Sequence, residues 1–451
     1  MSSNRFMKKR ILSLKLSIFL LYFPVQVFAE NNIEKIDLKN AIQLSLKNSD
    51  TIQEKKLDVK KAETLQTEIR GNFNPKINLN LGVGPINKET GDALTSQSKN
   101  SWGPILIGNI KMTYPLWAWG KKKDLLNAAS YAKNIEEQNV KIEKSDIISN
   151  IKKLYFGHLL SKTLLNFANE TKDDVEEILS DMKKKKSSKE DQFRLEILIS
   201  DIKTKIIEIK EKFLLTRKAL SFLISGKENG IKYLPQEDWL EYKKRIVRKN
   251  EYYISLAKKS LPQWDQINSG ILAKQDLLKA EKKSKYPIFG ILAEGKWSQT
   301  NQRNKQPSSF AFDPYNEKSL SIGLGITMDL DWGITDSKIE KIKLDIGKLE
   351  RKNSFAQKAL TIEIIKSIEN IRTSEKKVKY LKRAKKFAKK WLSRVVMAIS
   401  MGLLNSEKIV DAYGARALTF KNYFEAIFEH HMAWSNLSKV IGQEIDPILI
   451  K

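Results

Sequence analysis

Four stretches of the chain alternate apolar and polar residues with a period of two. Ile77, Leu79, Leu81 and Val83 interleave with Asn78, Asn80, Gly82 and Gly84. Leu106, Ile110, Met112 and Tyr114 share one parity, against Ile107, Asn109, Lys111 and Thr113. Far downstream, Phe289, Ile291, Ala293 and Trp297 oppose Gly290, Glu294, Lys296 and Ser298. The cleanest run sets Leu320, Ile322, Leu324, Ile326, Met328, Leu330 and Trp332 against Ser321, Gly323, Gly325, Thr327, Asp329 and Asp331. Such alternation gives a strand one apolar and one polar face. It predicts strands at about 76–84, 105–114, 288–298 and 320–332. The links within each pair, 85–103 and 299–319, hold Gly, Asn, Ser and Gln and predict exposed loops.

Elsewhere the period is helical. Ile364, Ile368, Ile371, Val378, Leu381, Ala384, Ala388, Leu392, Val395 and Ile399 advance by three or four, a narrow seam of the coiled-coil kind. Proline is absent from Leu116 to Leu234 and from Tyr315 to Asp446. Helices from Lys121 to about Met182 and from Ile334 to about Ser400 would span roughly 90 and 100 Å. A break follows each, at Lys183–Lys189 and at Met401–Asn405, and then a returning helix, giving helical hairpins over about 121–225 and 334–442.

The two halves share landmarks. Asn74-Pro75 precedes the first strand and Tyr286-Pro287 the third, 212 positions on. Trp119-Gly120 and Trp332-Gly333 are 213 apart, and Ser225-Gly226 and Ile441-Gly442 are 216 apart. So small a drift predicts two internal repeats, 30–229 and 230–451. A spacing above two hundred is not that of a solenoid.

Residues 1–29 read as a secretory signal. Arg5, Lys8, Lys9 and Arg10 precede the mostly apolar Ile11–Phe23, which is too short to span a bilayer, and Val27-Phe28-Ala29 loosely fits a cleavage site. A short membrane anchor is the other reading. Removing five basic residues and no acids takes the formal charge from +28 to +23. After residue 29 no apolar run is long enough for a spanning helix, so entry into a membrane would require a barrel. Four strands of about ten residues match outer-membrane strand length. They cannot close a barrel whose smallest known forms have about eight, so an oligomer is expected. The one-sided helical seam calls for neighbours for the same reason, although on periodicity alone an ordinary bundle core is the better reading, and two β-hairpins packed on a soluble helical body remain the alternative.

Composition removes several chemistries. The absence of cysteine excludes disulfides, thiolate metal sites, a cysteine nucleophile and a lipid-anchored amino terminus. Three histidines, His158, His430 and His431, leave little room for a metal site; the adjacent pair reads as packing. No H-E-x-x-H, P-loop, dinucleotide fingerprint or nucleophile elbow occurs. No enzyme activity, cofactor or metal is expected. The run Arg372–Lys390 carries ten basic residues and one acid, Glu375, and reads as a solvated helix face. A nucleic-acid partner is not expected, because the signal and the lack of any motif outweigh the charge.

Several segments resemble the TolC-type outer-membrane efflux protein family. Asn74-Pro75-Lys76-Ile77-Asn78-Leu79 is similar to the family's lead into its first strand, and Tyr114-Pro115-Leu116-Trp117-Ala118-Trp119-Gly120-Lys121 to its exit toward the first long helix. Ser188–Glu196 resembles the start of the first returning helix. Met401-Gly402-Leu403-Leu404-Asn405, with Asp411-Ala412 nine residues after the glycine, resembles the second turn. The resemblance implies an α+β membrane protein. Three chains of four strands each would form a 12-stranded β-barrel in the outer membrane, continued by a tunnel of long α-helical hairpins through the periplasm. It implies a homotrimer that docks a periplasmic adaptor and an inner-membrane transporter, and a passive channel for efflux or type I secretion.

The resemblance also implies site residues. Counting from Gly402, the family's two acidic gate positions fall on Lys408 and Asp411. Three Asp411 carboxylates near an axis would attract cations and resist joint ionisation, with Lys408 opposing or pairing with them. Asp191 and Arg194 occupy the matching turn of the first repeat and are expected to contact the other hairpin. Asp329 and Asp331 would face the barrel water. Tyr114, Trp117, Trp119, Trp297 and Trp332, with Trp102, sit at or near strand ends, where an interfacial girdle needs amphipathic rings. Two other readings compete: a periplasmic coiled-coil scaffold or adaptor, and a basic nucleic-acid binder.

Overall fold

The computed structural model describes residues 33–91, 97–185, 187–226, 232–305, 310, 312–401 and 407–445. The expected signal at 1–29 and Gly402 lie outside the described residues. The chain runs β1 (Glu34–Ile36), α1 (Leu38–Asn48), α2 (Asp50–Asn72), β2 (Lys76–Thr90), β3 (Gln97–Trp117), α3 (Lys121–Lys184) and α4 (Lys189–Ser225). The same order of element types then recurs as β4 (Tyr233–Pro235), α5 (Asn250–Ser260), α6 (Pro262–Lys283), β5 (Ile288–Thr300), β6 (Lys318–Thr327), α7 (Ile334–Ser400) and α8 (Glu407–Ile441).

The long strands form one antiparallel sheet in the order β2-β3-β5-β6. Among the described residues its two outer edges, β2 and β6, pair with no further strand, apart from an isolated bridge between Glu89 and Arg303 at the far end of β2. The register aligns the parities of all four strands: Leu79 faces Ile110, Ile110 faces Gly295 and Gly295 faces Leu320. One apolar face therefore extends across the whole sheet. It is bare in the single chain, with Leu81 74% and Leu324 84% exposed.

Below the sheet the longer helices form a curtain one layer deep, with α1 lying against α3 and α4 and α5 against α7 and α8. Near the strands, α2 packs on α3, α3 on α6 and α6 on α7; farther down, α4 packs on α3, α3 on α8 and α8 on α7. The 64-residue α3 and the 67-residue α7 run past both tiers, at about 95 and 100 Å. At every level one lateral edge belongs to the first half (β2, α2, α4) and the other to the second (β6, α7). The helical edges also carry uncovered apolar side chains, Phe193, Ile197 and Ile207 on α4 and Phe355, Ile362 and Phe387 on α7.

The core lies where the two tiers meet. The parallel pair β1–β4 sits there. Ile36, Leu38, Ile151, Tyr155, Leu220, Ile224 and Ile427 pack together around it. A second cluster joins Tyr253 and Ala257 of α5 to Ile364, Ile368 and Ile371 of α7 and Trp434 of α8. The returning helices end alike. Gly226 follows α4 with φ 66° and Gly442 follows α8 with φ 78°, a left-handed turn that a side chain strains. A Cβ on Gly226 would stand 2.9 Å from the Asn48 carbonyl oxygen, and one on Gly442 would stand 2.8 Å from Leu261 Cα.

The structure differs from the sequence reading in three places. The expected loop 85–103 is largely strand, because β2 and β3 stay paired to Thr90 and Gln97. Apart from Pro85, Ile86 and Trp102 the residues paired there are glycine or polar, so the alternation fades. The fourth strand ends at Thr327 instead of continuing to 332. Beyond it Asp331 accepts hydrogen bonds from the Thr335 backbone, at 3.0 Å, and from the Thr335 hydroxyl, so it serves the first turn of α7. Helices α1, α2, α5 and α6 were not anticipated.

Candidate functional site

Three regions can carry function: the two faces of the sheet, the aromatic residues at its helix-proximal end and the far tip of the helices.

The polar face of the sheet holds a charged group that sequence alone did not assemble. Lys111 is opposite Glu294, and Asn109 is opposite Lys296. Asn109 Nδ2 donates to Glu294 Oε1 at 3.0 Å. The Lys111 and Lys296 ammonium groups lie 3.6 and 3.9 Å from the same carboxylate. Asp329 and Asp331, expected in the barrel lumen, come after β6 and not on it.

At the end of the strands nearest α3, Trp119 sits in a tight turn, with Lys121 N donating to the Ala118 carbonyl at 2.8 Å. Its indole donates to the Pro287 carbonyl at 2.8 Å, tying the exit of one strand pair to the start of the next. Its ring centroid is 6.2 Å from that of Trp117, 5.4 Å from Tyr286 and 6.4 Å from Phe289. Tyr286 and Phe289 extend the expected aromatic set. Tyr114 lies half-buried opposite Ile291, and Trp332 is 98% exposed. Trp297 stands opposite Gly108 toward the other end of the sheet, where a Cβ on Gly108 would make ordinary contact with its ring and with Leu81. An amphipathic ring row beside an apolar band suits a lipid–water boundary.

At the tip the helices close on Val175, Leu179, Leu195, Ile199, Leu392, Val395, Ile409, Ala412 and Tyr413. Burial pushes the Tyr413 phenol up to about 12. Around this plug the charges are exposed. Lys408 Nζ lies 3.9 Å from Asp411, one turn on. Arg194 hydrogen-bonds Glu190 at 3.0 Å and reaches Glu407 of α8 at 3.9 Å. The Glu190 hydrogen bond raises the Arg194 pKa, with Glu407 and Asp191 adding to it. Arg194 thus touches the other hairpin through Glu407, a residue that sequence reasoning missed. Farther up, Arg416 of α8 pairs with Asp174 of α3 at 3.2 Å and lies over the Phe167 ring.

The histidines are packing groups. Arg245 Nη2 lies 3.0 Å from His431 Nδ1, and His431 Nε2 lies 2.9 Å from the Glu241 carbonyl. The guanidinium can only donate, so Nδ1 accepts and Nε2–H donates, a neutral ring. Burial lowers His431 to about 3 and His430 to about 4. Among the described residues no cluster of His, Asp and Glu could hold a metal ion, and no helix is long and apolar enough to cross a membrane.

A sheet with a bare apolar face on a long helical curtain is a distinctive arrangement, and comparison with known proteins places it. Residues 41–186 match the outer membrane efflux protein family. The matched stretch runs from α1 through β2 and β3 to the end of α3, and it bears out the TolC-type resemblance read from the strand-flanking motifs. No curated protein matches the chain. Solved outer-membrane channels share the fold. The Campylobacter jejuni CmeC outer membrane channel superposes with a TM-score of 0.73 at 14% identity, over 98% of this chain and 94% of that one. The open state of the Neisseria gonorrhoeae MtrE outer membrane channel gives 0.73 at 14% identity, over 90% and 89%. A membrane protein from Pseudomonas aeruginosa gives 0.74 at 14% identity, over 91% and 94%.

Proposed function

We propose that this protein is the outer-membrane channel of a tripartite efflux or type I secretion system. Three copies would pool their sheets into a 12-stranded barrel and their helices into a periplasmic tunnel. The carrying observation is the pair of unpartnered edges, β2 and β6, on a sheet whose apolar face is bare. Unpaired backbone groups are not tolerated in lipid, so such a sheet must close. A β6 edge followed by the β2 edge of the next copy continues the antiparallel alternation and keeps the helices of every copy on the same side of the barrel. The α4 and α7 edges expose apolar residues to meet in the same way.

In this reading the apolar face meets lipid, the polar face meets water, and the Trp117–Trp119–Tyr286–Phe289 cluster marks the periplasmic boundary. The tip around Asp411, Lys408, Asp191, Arg194 and Glu407 is the periplasmic gate, beside which a periplasmic adaptor and an inner-membrane transporter would dock. The chain runs no reaction; it conducts cargo passively, and the transporter supplies the energy.

Purified protein added to a planar bilayer tests this. Stepwise conductance from a three-chain particle is expected. Release of the protein as a soluble species on osmotic shock, with no conductance, points instead to a periplasmic scaffold.

A further inference from the structure

The register across the sheet fixes the charge of the polar face. That face carries Lys76, Asn78, Asn80, Gly82 and Gly84 on β2, and Ile105, Ile107, Asn109, Lys111 and Thr113 on β3. On β5 it carries Gly290, Leu292, Glu294, Lys296 and Ser298, and on β6 Ser319, Ser321, Gly323, Gly325 and Thr327. Over the stretch of β2 from Lys76 to Gly84 and the strand positions paired with it, short of the register shift after Asn87, three lysines therefore face one glutamate. Lys111 and Lys296 share the Glu294 carboxylate at 3.6 and 3.9 Å, so one ammonium of that trio is unbalanced. Lys76 adds a second; its Nζ donates to the Asn72 side-chain oxygen at 3.1 Å, a neutral partner. Asp329 and Asp331 are not part of this belt, because both lie past the end of β6 at Thr327.

Resting on the channel reading above, we propose that the barrel is an anion-preferring filter, with Lys111 and Lys296 as its specificity-determining residues and small negatively charged molecules as the favoured cargo. Three copies place six unbalanced positive charges around one aqueous bore. Rings of basic side chains at close quarters select anions, because a low-dielectric wall focuses their field into the lumen. Glu294 has a positioning role: it holds the two ammonium groups together on the wall and halves their charge.

The experiment is the reversal potential of the purified channel in a KCl gradient at low ionic strength. The wild-type chain should favour chloride over potassium. K111Q/K296Q should lower the chloride-to-potassium permeability ratio by roughly two-fold or more, and E294Q should raise it. The preference should fade toward 1 M salt, where the screening length falls to about 3 Å. The single variants K111Q and K296Q, each expected to give part of the shift, serve if the double variant does not assemble. A cation-preferring wild type, or a ratio unmoved by the lysine and glutamate variants, overturns the proposal and leaves the channel reading standing. Absence of any conductance from the wild type counts against the channel reading itself.

Discussion

The Asn48 side chain, at the end of α1, donates a 2.8 Å hydrogen bond to the carbonyl of Ile224 at the end of α4. In the second half the Ser260 hydroxyl, at the end of α5, shares its proton between the Leu256 carbonyl of its own helix at 2.8 Å and the carbonyl of Ile441 at 3.0 Å. In each half a short helix satisfies one of the orphan carbonyls that a returning helix leaves at its C-terminus. Conserving the job while changing the side chain is what an internal duplication would leave behind.

Asn48→Ala and Ser260→Ala should each destabilise the protein by about 1 kcal/mol, the usual loss for one half-buried hydrogen bond. Thermal denaturation followed by circular dichroism reads this. The two losses should add, because the contacts are separate.

Lys152 is buried to 1% exposure on α3 and bonds the Glu444 carboxylate at 2.7 Å, tying the segment after α8 to the first half. Glu444→Ala strands that ammonium and should cost about 3 kcal/mol. Adding Lys152→Met should recover most of the loss, because a buried pair is often replaceable by apolar volume. A double variant no more stable than Glu444→Ala would contradict the account.

At the tip, Arg194→Ala removes an exposed ion pair with Glu407 on the other hairpin. Stability should change by less than about 1 kcal/mol, as for surface pairs in general. On the proposed reading the resting conductance should nevertheless rise, because the two hairpins lose a direct tie. Bilayer recordings beside thermal melts separate the two effects.

Acid should weaken the region where the tiers meet. Burial lowers His158 and His430 to about 4 and His431 to about 3, all from the ordinary 6.5. Between those limits the unfolded chain binds protons that the folded chain refuses. The contribution is therefore full above pH 6.5 and declines as pH falls toward 4. The melting temperature should drop across that window, and His431→Asn should flatten the slope.

Much of the fold was legible because lipid-facing strands and coiled-coil seams impose simple periods. Leu320 to Ile326 announces its strand, and Ile364 to Val395 announces α7. Helix α6 was hidden because its buried face is not apolar. It buries Pro262, Ser269, Asp276 and Ala280, and its seam with α3 is polar: Asn134 to Ser269 at 2.8 Å and Lys283 to Asp124 at 2.5 Å. Helix α2 buries only Ile52 and gave no stripe at all. Of the candidate site, the positions of Trp117 and Trp119 at the strand exit follow from the alternation, and the closeness of Lys408 to Asp411 from helical spacing. The Lys111–Glu294–Lys296 group and the Arg194–Glu407 contact join residues far apart in the chain, and only strand register and hairpin packing bring them together.

The central claim is that the open edges close on other copies of the same chain. Native mass measurement of the particle extracted by mild detergent from the outer-membrane fraction tests it most directly. A single species of three chains is the predicted result; a one-chain species recovered from the aqueous fraction would contradict it.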